Sequence, residues 1–100
     1  MAKEFSIDAT EMEPPEPLML TLDMVEDLGP GDYIRFRHRR EPVPLYDSLI
    51  QSGFSFLTCT GHDVKFEIFI WRKNDAKAQS LIKDKIELAK LAVIDSSLSS

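Results

Sequence analysis

The chain has 100 residues, 43% of them hydrophobic, which fits one folded domain and excludes wholesale disorder. Its single cysteine, Cys59, excludes an intrachain disulfide framework and a multi-cysteine metal site, and fits a reducing cytoplasm. No apolar run reaches the length of a membrane span, and residues 1–17 lack the apolar core of a signal peptide. We therefore expect a cytoplasmic protein that is not associated with a membrane.

Charge is distributed unevenly along the chain, whose formal net charge is −5. Nine acidic residues and no basic residue lie from Glu4 to Asp32, and four arginines then follow within residues 35–40. The acidic balance disfavours general nucleic-acid binding, whereas the arginine-rich segment keeps RNA open as an alternative ligand.

The first predicted elements are a short strand and a helix that starts at prolines. Residues 5–8, FSID, alternate as a strand does. Proline suits the first turn of a helix, because the N–H that it lacks would have no intrahelical partner there. After Pro17 the apolar residues follow a helical period, and Gly29 with Pro30 ends the helix. The predicted inward face of this helix consists of Leu18, Leu22, Val25 and Leu28.

The segment DYIRFRHR, residues 32–39, alternates most clearly and predicts a second strand. Its core face is predicted to carry Ile34, Phe36 and His38. Its opposite face is predicted to carry Tyr33, Arg35, Arg37 and Arg39.

The second half of the chain predicts two helices and two strands. Prolines in REPVPL start a helix that contains Leu45, Leu49 and Ile50 and ends at Gly53. Residues 54–60 and 64–71 alternate as two strands, joined by a turn at residues 61–63. Asn74 or Asp75 caps a last helix over residues 76–93.

The resulting order, β-α-β-α-β-β-α, predicts a two-layer α/β sandwich in which helices cover one face of a mixed sheet. We expect residues 1–73 to form the domain, and residues 74–94 to form an extra helix that docks or oligomerises. Residues 95–100, the serine-rich segment DSSLSS, are expected to fray. The face with Tyr33 is expected to have no helix over it.

Two proline-containing segments carry a resemblance to a known family. Residues 7–36, IDATEMEPPEPLMLTLDMVEDLGPGDYIRF, resemble the start of the TusA/SirA-type sulfur carriers. Residues 40–56, REPVPLYDSLIQSGFSF, look like a cysteine-less branch of that superfamily, a bacterial domain of unknown function. The resemblance spans about residues 5–71 and implies a TusA-like fold, with the last helix outside it.

The resemblance also implies what this chain lacks. In the sulfur carriers a Cys-Pro-x-Pro motif starts the first helix, where the helix dipole favours a thiolate. Here the motif positions are occupied by Pro14, Pro15, Glu16 and Pro17. Since Pro14 has no nucleophile, persulfide transfer at this position is chemically impossible.

Two surfaces are predicted to bind a partner. One is the face with Arg35, Arg37 and Arg39, hereafter the arginine row, together with Tyr33 and Trp71, because arginine and aromatic residues are frequent at protein interfaces. The other is the helix start at Pro14–Pro17. Cys59 as a thiol carrier and RNA binding by the arginine row are the alternatives.

No pattern predicts catalysis or a cofactor. The chain has no glycine-rich phosphate loop and no nucleophile–base arrangement, and His38 and His62 make a weak metal signal. We therefore predict a non-enzymatic interaction or regulatory module that binds a protein. The wide apolar surface of the last helix leaves a homodimer open.

Overall fold

The computed structural model describes the backbone of residues 2–60 and 65–99, and the side chains of residues 2–60 and 65–88. Within these residues the strands and helices follow the predicted order. Their bounds are β1 Glu4–Asp8, α1 Glu16–Val25, β2 Tyr33–His38, α2 Val43–Gln51, β3 Phe54–Cys59, β4 Phe66–Arg72 and α3 Ala76–Ser99. Within the described residues, no helix has the length and apolar character needed to cross a membrane.

The strands form one mixed sheet in the order β1-β2-β4-β3. Strand β1 pairs with β2 in parallel through the α1 crossover, and the other two pairings are antiparallel. The two-layer α/β architecture predicted for the domain, a mixed sheet with α1 and α2 on one face, is therefore confirmed, and α3 is the additional helix. The predicted turn at residues 61–63 and the predicted strand start at residue 64 lie outside the described residues.

Helices α1 and α2 cover one side of the sheet, the core face. As predicted, Ile34, Phe36 and His38 point to this side and are buried. Leu45 and Leu49 of α2 are also buried, whereas Ile50 is 62% exposed because it lies on the outer side of the helix. The main core cluster contains Ile7, Ala9, Val25, Leu28, Ile34, Phe36, Leu45, Leu49, Phe54, Ile68 and Ile70.

The inward line of α1 differs from the prediction. Pro17, Thr21 and Val25 are the buried residues of the helix, and Leu18 with Leu22 is only half-buried at its flank. Thr21 can lie in the core because its hydroxyl donates a hydrogen bond to the Pro17 carbonyl at 2.7 Å. The apolar period alone therefore placed the first two inward positions, Leu18 and Leu22, one residue too far along the helix, whereas Val25 and Leu28 are buried as predicted.

Helix α3 packs on the opposite side of the sheet, the reverse face. Ala78 and Ile82 are buried there against aromatic side chains of β2 and β4, with Ile86 half-buried beside them. The expectation that no helix covers this face is therefore wrong. The physical reason is that an i, i+4, i+8 apolar stripe on α3 matches the aromatic end of the sheet. A second hydrophobic cluster, on the reverse face, therefore contains Tyr33, Phe69, Trp71, Ala78 and Ile82.

Asp75 fixes the start of α3. Its Oδ1 accepts a hydrogen bond from the Ala78 N–H at 3.1 Å, which caps the helix as predicted for this position. Its Oδ2 accepts the Gly31 N–H at 2.8 Å, in the turn before β2. Gly31 has φ +82°, and a Cβ there would lie 3.1 Å from both the Ala2 Cβ and the Lys77 Cδ. The carboxylate thus joins two distant segments.

The helix extends further than the sequence predicts. Its backbone is helical to Ser99, beyond the predicted end at residue 93. The part of its predicted wide apolar surface from residue 89 onward lies outside the described side chains. Fraying of residues 95–100 stays a prediction.

Candidate functional site at the two proline motifs

The two proline motifs meet at one cavity of about 330 Å³, hereafter the proline pocket. It lies between the start of α1, the end of β2 and the start of α2. Its size is at the lower end of the range typical of ligand pockets. The lining residues are Pro14, Pro15, Pro17, Leu18, Phe36, His38, Arg40, Glu41, Pro42, Pro44 and Leu45.

Prolines start both helices beside the pocket. Pro15 and Pro42 occupy the N-cap positions of α1 and α2, and neither helix has a side-chain cap. Pro17 and Pro44 follow within the first turns, where a missing N–H costs no intrahelical hydrogen bond. The same rings that set the helix starts therefore form rigid apolar walls. The Pro14–Pro15 peptide bond is cis.

His38 is the buried polar side chain of the pocket wall. It is 7% exposed, and its Nδ1 accepts a hydrogen bond from the Arg39 N–H at 2.8 Å. Burial lowers the pKa of His38 below its usual 6.5, and the positive charges of Arg39 and Arg40 lower it further. The imidazole is therefore neutral near pH 7 and carries its hydrogen on Nε2. This wall of the pocket therefore adds no charge near pH 7.

Charges of both signs surround the mouth of the pocket. Arg40 and Glu41 line it, and Arg39 and Glu13 adjoin lining residues in the sequence. All four side chains are exposed. An apolar interior with such a mixed rim favours an apolar group over a phosphate, which would meet Glu13 and Glu41 as well as the arginines.

The arginine row is less open than the sequence predicts. The Arg35 Nη2 lies 2.9 Å from the Glu67 Oε2, and the Arg37 Nε lies 3.9 Å from the same oxygen. The β2–β4 register places Arg37 directly opposite Glu67. The hydrogen bond from Arg35 to Glu67 raises the pKa of that guanidinium. Since Glu67 neutralises part of the row, two of its arginines are held inside the protein's own ion pairs.

The aromatic residues predicted to accompany the arginine row are buried. Tyr33 is 8% exposed and Trp71 is 7% exposed, because both lie under α3. The Tyr33 hydroxyl donates a hydrogen bond to the Glu4 carboxylate at 3.0 Å, and Lys85 of α3 bonds to the same Glu4 oxygen. Burial, together with Glu4, raises the pKa of Tyr33 to about 12. Of this predicted surface, Arg39 is exposed, whereas Arg35 and Arg37 are half-buried.

The remaining candidate residues are separated from the proline pocket. Cys59 is half-buried and packs against the α3 cluster on the reverse face. Glu16 starts α1 and is exposed but does not line the pocket, unlike its three proline neighbours in the motif. His62 lies outside the described residues. Among the described residues, no group of three or more His, Cys, Asp or Glu could hold a metal ion.

Comparison with known proteins places the domain in a family. Residues 6–72 match the family described as "Uncharacterized conserved protein (DUF2249)". The chain belongs to the DUF2249 family. No curated protein and no solved structure matches the chain significantly. The family match confirms a domain of unknown function, and its end at residue 72 leaves α3 outside the matched region.

Sequence reasoning found one half of the pocket. The sequence predicts a partner site at Pro14, Pro15 and Pro17, but it indicates only a helix start at Pro42 and Pro44. The signal that links the two proline motifs is their position, because each motif starts a helix on the same side of the sheet. The apolar pattern of the sequence predicts inward-facing positions for Leu18, Phe36 and Leu45, which does not distinguish pocket walls from core.

Proposed function

We propose that this DUF2249 domain is a small, non-enzymatic interaction or regulatory module that binds a protein partner in the bacterial cytoplasm. The site that supports this function best is the proline pocket. The single observation that carries the proposal is the convergence of both proline motifs on one apolar cavity of about 330 Å³.

The chemistry of the pocket favours a bulky apolar side chain as its occupant. Aromatic anchors that fill apolar pockets are the usual energetic centres of protein interfaces. Rigid proline walls lose little conformational entropy when such a group binds, because their φ angles are already fixed. The Nε2–H of His38 adds one donor, which would suit a tryptophan, tyrosine or phenylalanine presented beside a backbone carbonyl.

The position of the pocket also agrees with the resemblance to sulfur carriers. Those proteins place their cysteine at the start of the first helix, and Pro14 stands at that position here. We infer that the TusA-like domain retains the location of a docking site and has replaced sulfur transfer by binding alone.

The other predicted sites have less support. Arg35 and Arg37 contact Glu67, which weakens the case for an acidic protein or RNA on the arginine row. Cys59 is half-buried, whereas a reactive thiol needs an accessible and electropositive environment. A Cys59→Ser variant with unchanged binding would exclude the thiol carrier, and RNA binding would weaken steeply with added salt.

An NMR titration tests the proposal with defined probes. N-acetyl-tryptophan amide and N-acetyl-leucine amide are added to the ¹⁵N-labelled chain, and backbone shifts are followed. We expect the tryptophan probe to move the amides of Phe36, His38 and Leu45, and the leucine probe to move the same amides less. Saturable shifts at other residues alone, or no shifts, would contradict the proposal.

Two variants distinguish pocket binding from surface adsorption. Leu18→Trp fills the pocket from its wall, and Pro44→Glu puts a charge on an exposed wall residue in the first turn of α2, where an acidic residue favours the helix. Each should reduce binding of the tryptophan probe at least tenfold. Met19→Trp is the matched control, since Met19 is 66% exposed and does not line the pocket. Equal binding by all three variants would locate the site elsewhere.

A further inference from the structure

The two edges of the sheet differ in their protection against pairing with another strand. Edge strands expose unpaired N–H and C=O groups, and proteins usually protect them with charges, prolines or bulges. Strand β1, at one edge, carries Glu4 and Asp8 at its ends. Strand β3, at the other edge, reads FSFLTC and contains no charged residue, proline or glycine. Its register with β4 is continuous over all six residues, without a bulge.

The hydrogen-bond pattern identifies the outward groups of β3. Lys73 donates its N–H to the Gly53 carbonyl at 3.1 Å, so this pair continues the β3–β4 register as a hydrogen-bonded pair. Hydrogen-bonded and non-hydrogen-bonded pairs alternate in an antiparallel ladder. The main-chain groups of Ser55, Leu57 and Cys59 therefore point to β4, and those of Phe54, Phe56 and Thr58 point outward. Among the described residues, no strand pairs with this outer side.

Exposed aliphatic side chains flank this strand on both faces of the sheet. The Tyr46 ring of α2 stacks on the Phe56 ring of β3 with centroids 4.2 Å apart, which shows the side of α2 that faces β3. Val43 and Ile50 lie three residues before and four residues after Tyr46, on the same flank of the helix. They are 53% and 62% exposed. On the reverse face, Leu57 of β3 is 41% exposed.

We propose that this surface, the β3 edge, formed by Phe54–Cys59 with Val43 and Ile50, pairs with a second copy of the chain to make a continuous eight-stranded sheet. Antiparallel pairing across a twofold axis places β3 opposite itself, and a strand without charges meets no like-charge repulsion there. The same axis brings Val43 and Ile50 of both copies together on one side and Leu57 of both copies on the other. Asp47, exposed on the next line of α2, would lie at the polar rim.

A second copy fits this surface better than a foreign peptide. A peptide could pair with the backbone of β3, but a second copy also supplies matching aliphatic side chains above and below the strand. The β3 edge lies on the opposite flank of α2 from Pro44, which lines the proline pocket. This inference therefore stands apart from the proposed binding function.

Sedimentation velocity over a concentration series tests the pairing on the full chain. We expect the wild type to convert from the 11.4 kDa monomer to a species of twice that mass as concentration rises. Ile50→Lys and Leu57→Lys, both at exposed positions, should each weaken self-association at least tenfold. Met19→Lys is the matched control, because Met19 is 66% exposed on α1, and it should associate as the wild type does.

Amide hydrogen exchange supplies the register-specific readout. The amides of Phe54, Phe56 and Thr58 should exchange more slowly as the dimer forms, while those of Ser55, Leu57 and Cys59 keep their rates. A wild type that is monomeric at all concentrations would overturn the proposal. A dimer that both lysine variants leave intact would also overturn it, and so would protection confined to α3.

Discussion

The core face and the reverse face of the same sheet are both covered by helices, yet they are built differently. The core face is apolar over the middle of β2 and β4, where Ile34, Phe36, Ile68 and Ile70 have no exposed surface. The reverse face is apolar only at the end under α3, and its other end carries Arg35, Arg37 and Glu67. A sheet of this kind can be stabilised on one side by burial alone, while the other side combines burial with ion pairing.

Two isoleucines of nearly equal burial give the sharpest test of this difference. Ile34 of β2 is 0% exposed on the core face, and we expect Ile34→Ala to lower the free energy of unfolding by about 4 kcal/mol. The site is in a central strand under two helices, so little can move to close the cavity. Urea denaturation followed by far-UV circular dichroism measures the loss. A loss below about 1 kcal/mol would contradict the assignment of Ile34 to a rigid core.

The corresponding substitution on the reverse face should cost less. Ile82 of α3 is 1% exposed, and we expect Ile82→Ala to lower the free energy of unfolding by about 2 kcal/mol. The loss is smaller because the helix can shift or detach locally while the sheet remains folded. Trp71, the only tryptophan, reports this step through a red shift of its fluorescence. Leu81→Ala, at a 37% exposed position next to Ile82, should leave the emission unchanged.

The charged end of the reverse face depends on Glu67. We expect Glu67→Gln to lower the free energy of unfolding by about 1–2 kcal/mol, since Arg35 loses a charge-assisted hydrogen bond in a half-buried site. The effect should shrink as salt is added. Glu87→Gln on α3 is a suitable control, because Glu87 is exposed. Equal stability of the two variants would show that the ion pairs contribute nothing.

The smallest expected effect concerns His38 on the core face. The pKa of His38 is below 6.5 in the folded protein, so the unfolded chain binds its proton first as pH falls. Stability is therefore fully present above pH 6.5 and declines below it. Urea midpoints taken between pH 6.5 and 5.5, about one pH unit or more above the usual glutamate pKa of 4.5, limit the contribution of the carboxylates to this decline.

His38→Asn provides the control for this pH dependence. The Asn side-chain oxygen can accept the Arg39 N–H that the imidazole Nδ1 accepts in the wild type. The variant should therefore fold and lose the decline in this window. A wild type whose urea midpoint rises as the pH falls would reverse the assigned direction of the shift.

The sequence predicted the layout of the core face because its signals are local. The alternation of Ile34, Phe36 and His38 and the prolines at the start of each helix depend on neighbouring residues. The reverse face depends on a contact between β2 and a helix that begins some forty residues later. The face of β2 that carries Tyr33 and the arginines has the residue pattern of a solvated surface. Only the contact with Ala78 and Ile82 of α3 shows that Tyr33 is buried.

The proline pocket was half predictable for the same reason. Each proline motif indicates its own helix start, but no local pattern shows that the two starts lie on either side of the β2 end. Thr21 illustrates a related limit. A polar residue in an inward position is satisfied by the Pro17 carbonyl, and a search for apolar periodicity passes over it.

The carboxylate of Asp75 gives acid a direct effect on how the molecule is held together. One oxygen caps α3 and the other holds the turn at Gly31, and both hydrogen bonds lower the pKa of Asp75 below its usual 3.8. Their stabilising contribution is present above pH 3.8 and is lost as pH falls through the lowered value. Protonation of this one carboxylate would then weaken both hydrogen bonds together, one at the start of α3 and the other at the turn that leads into β2.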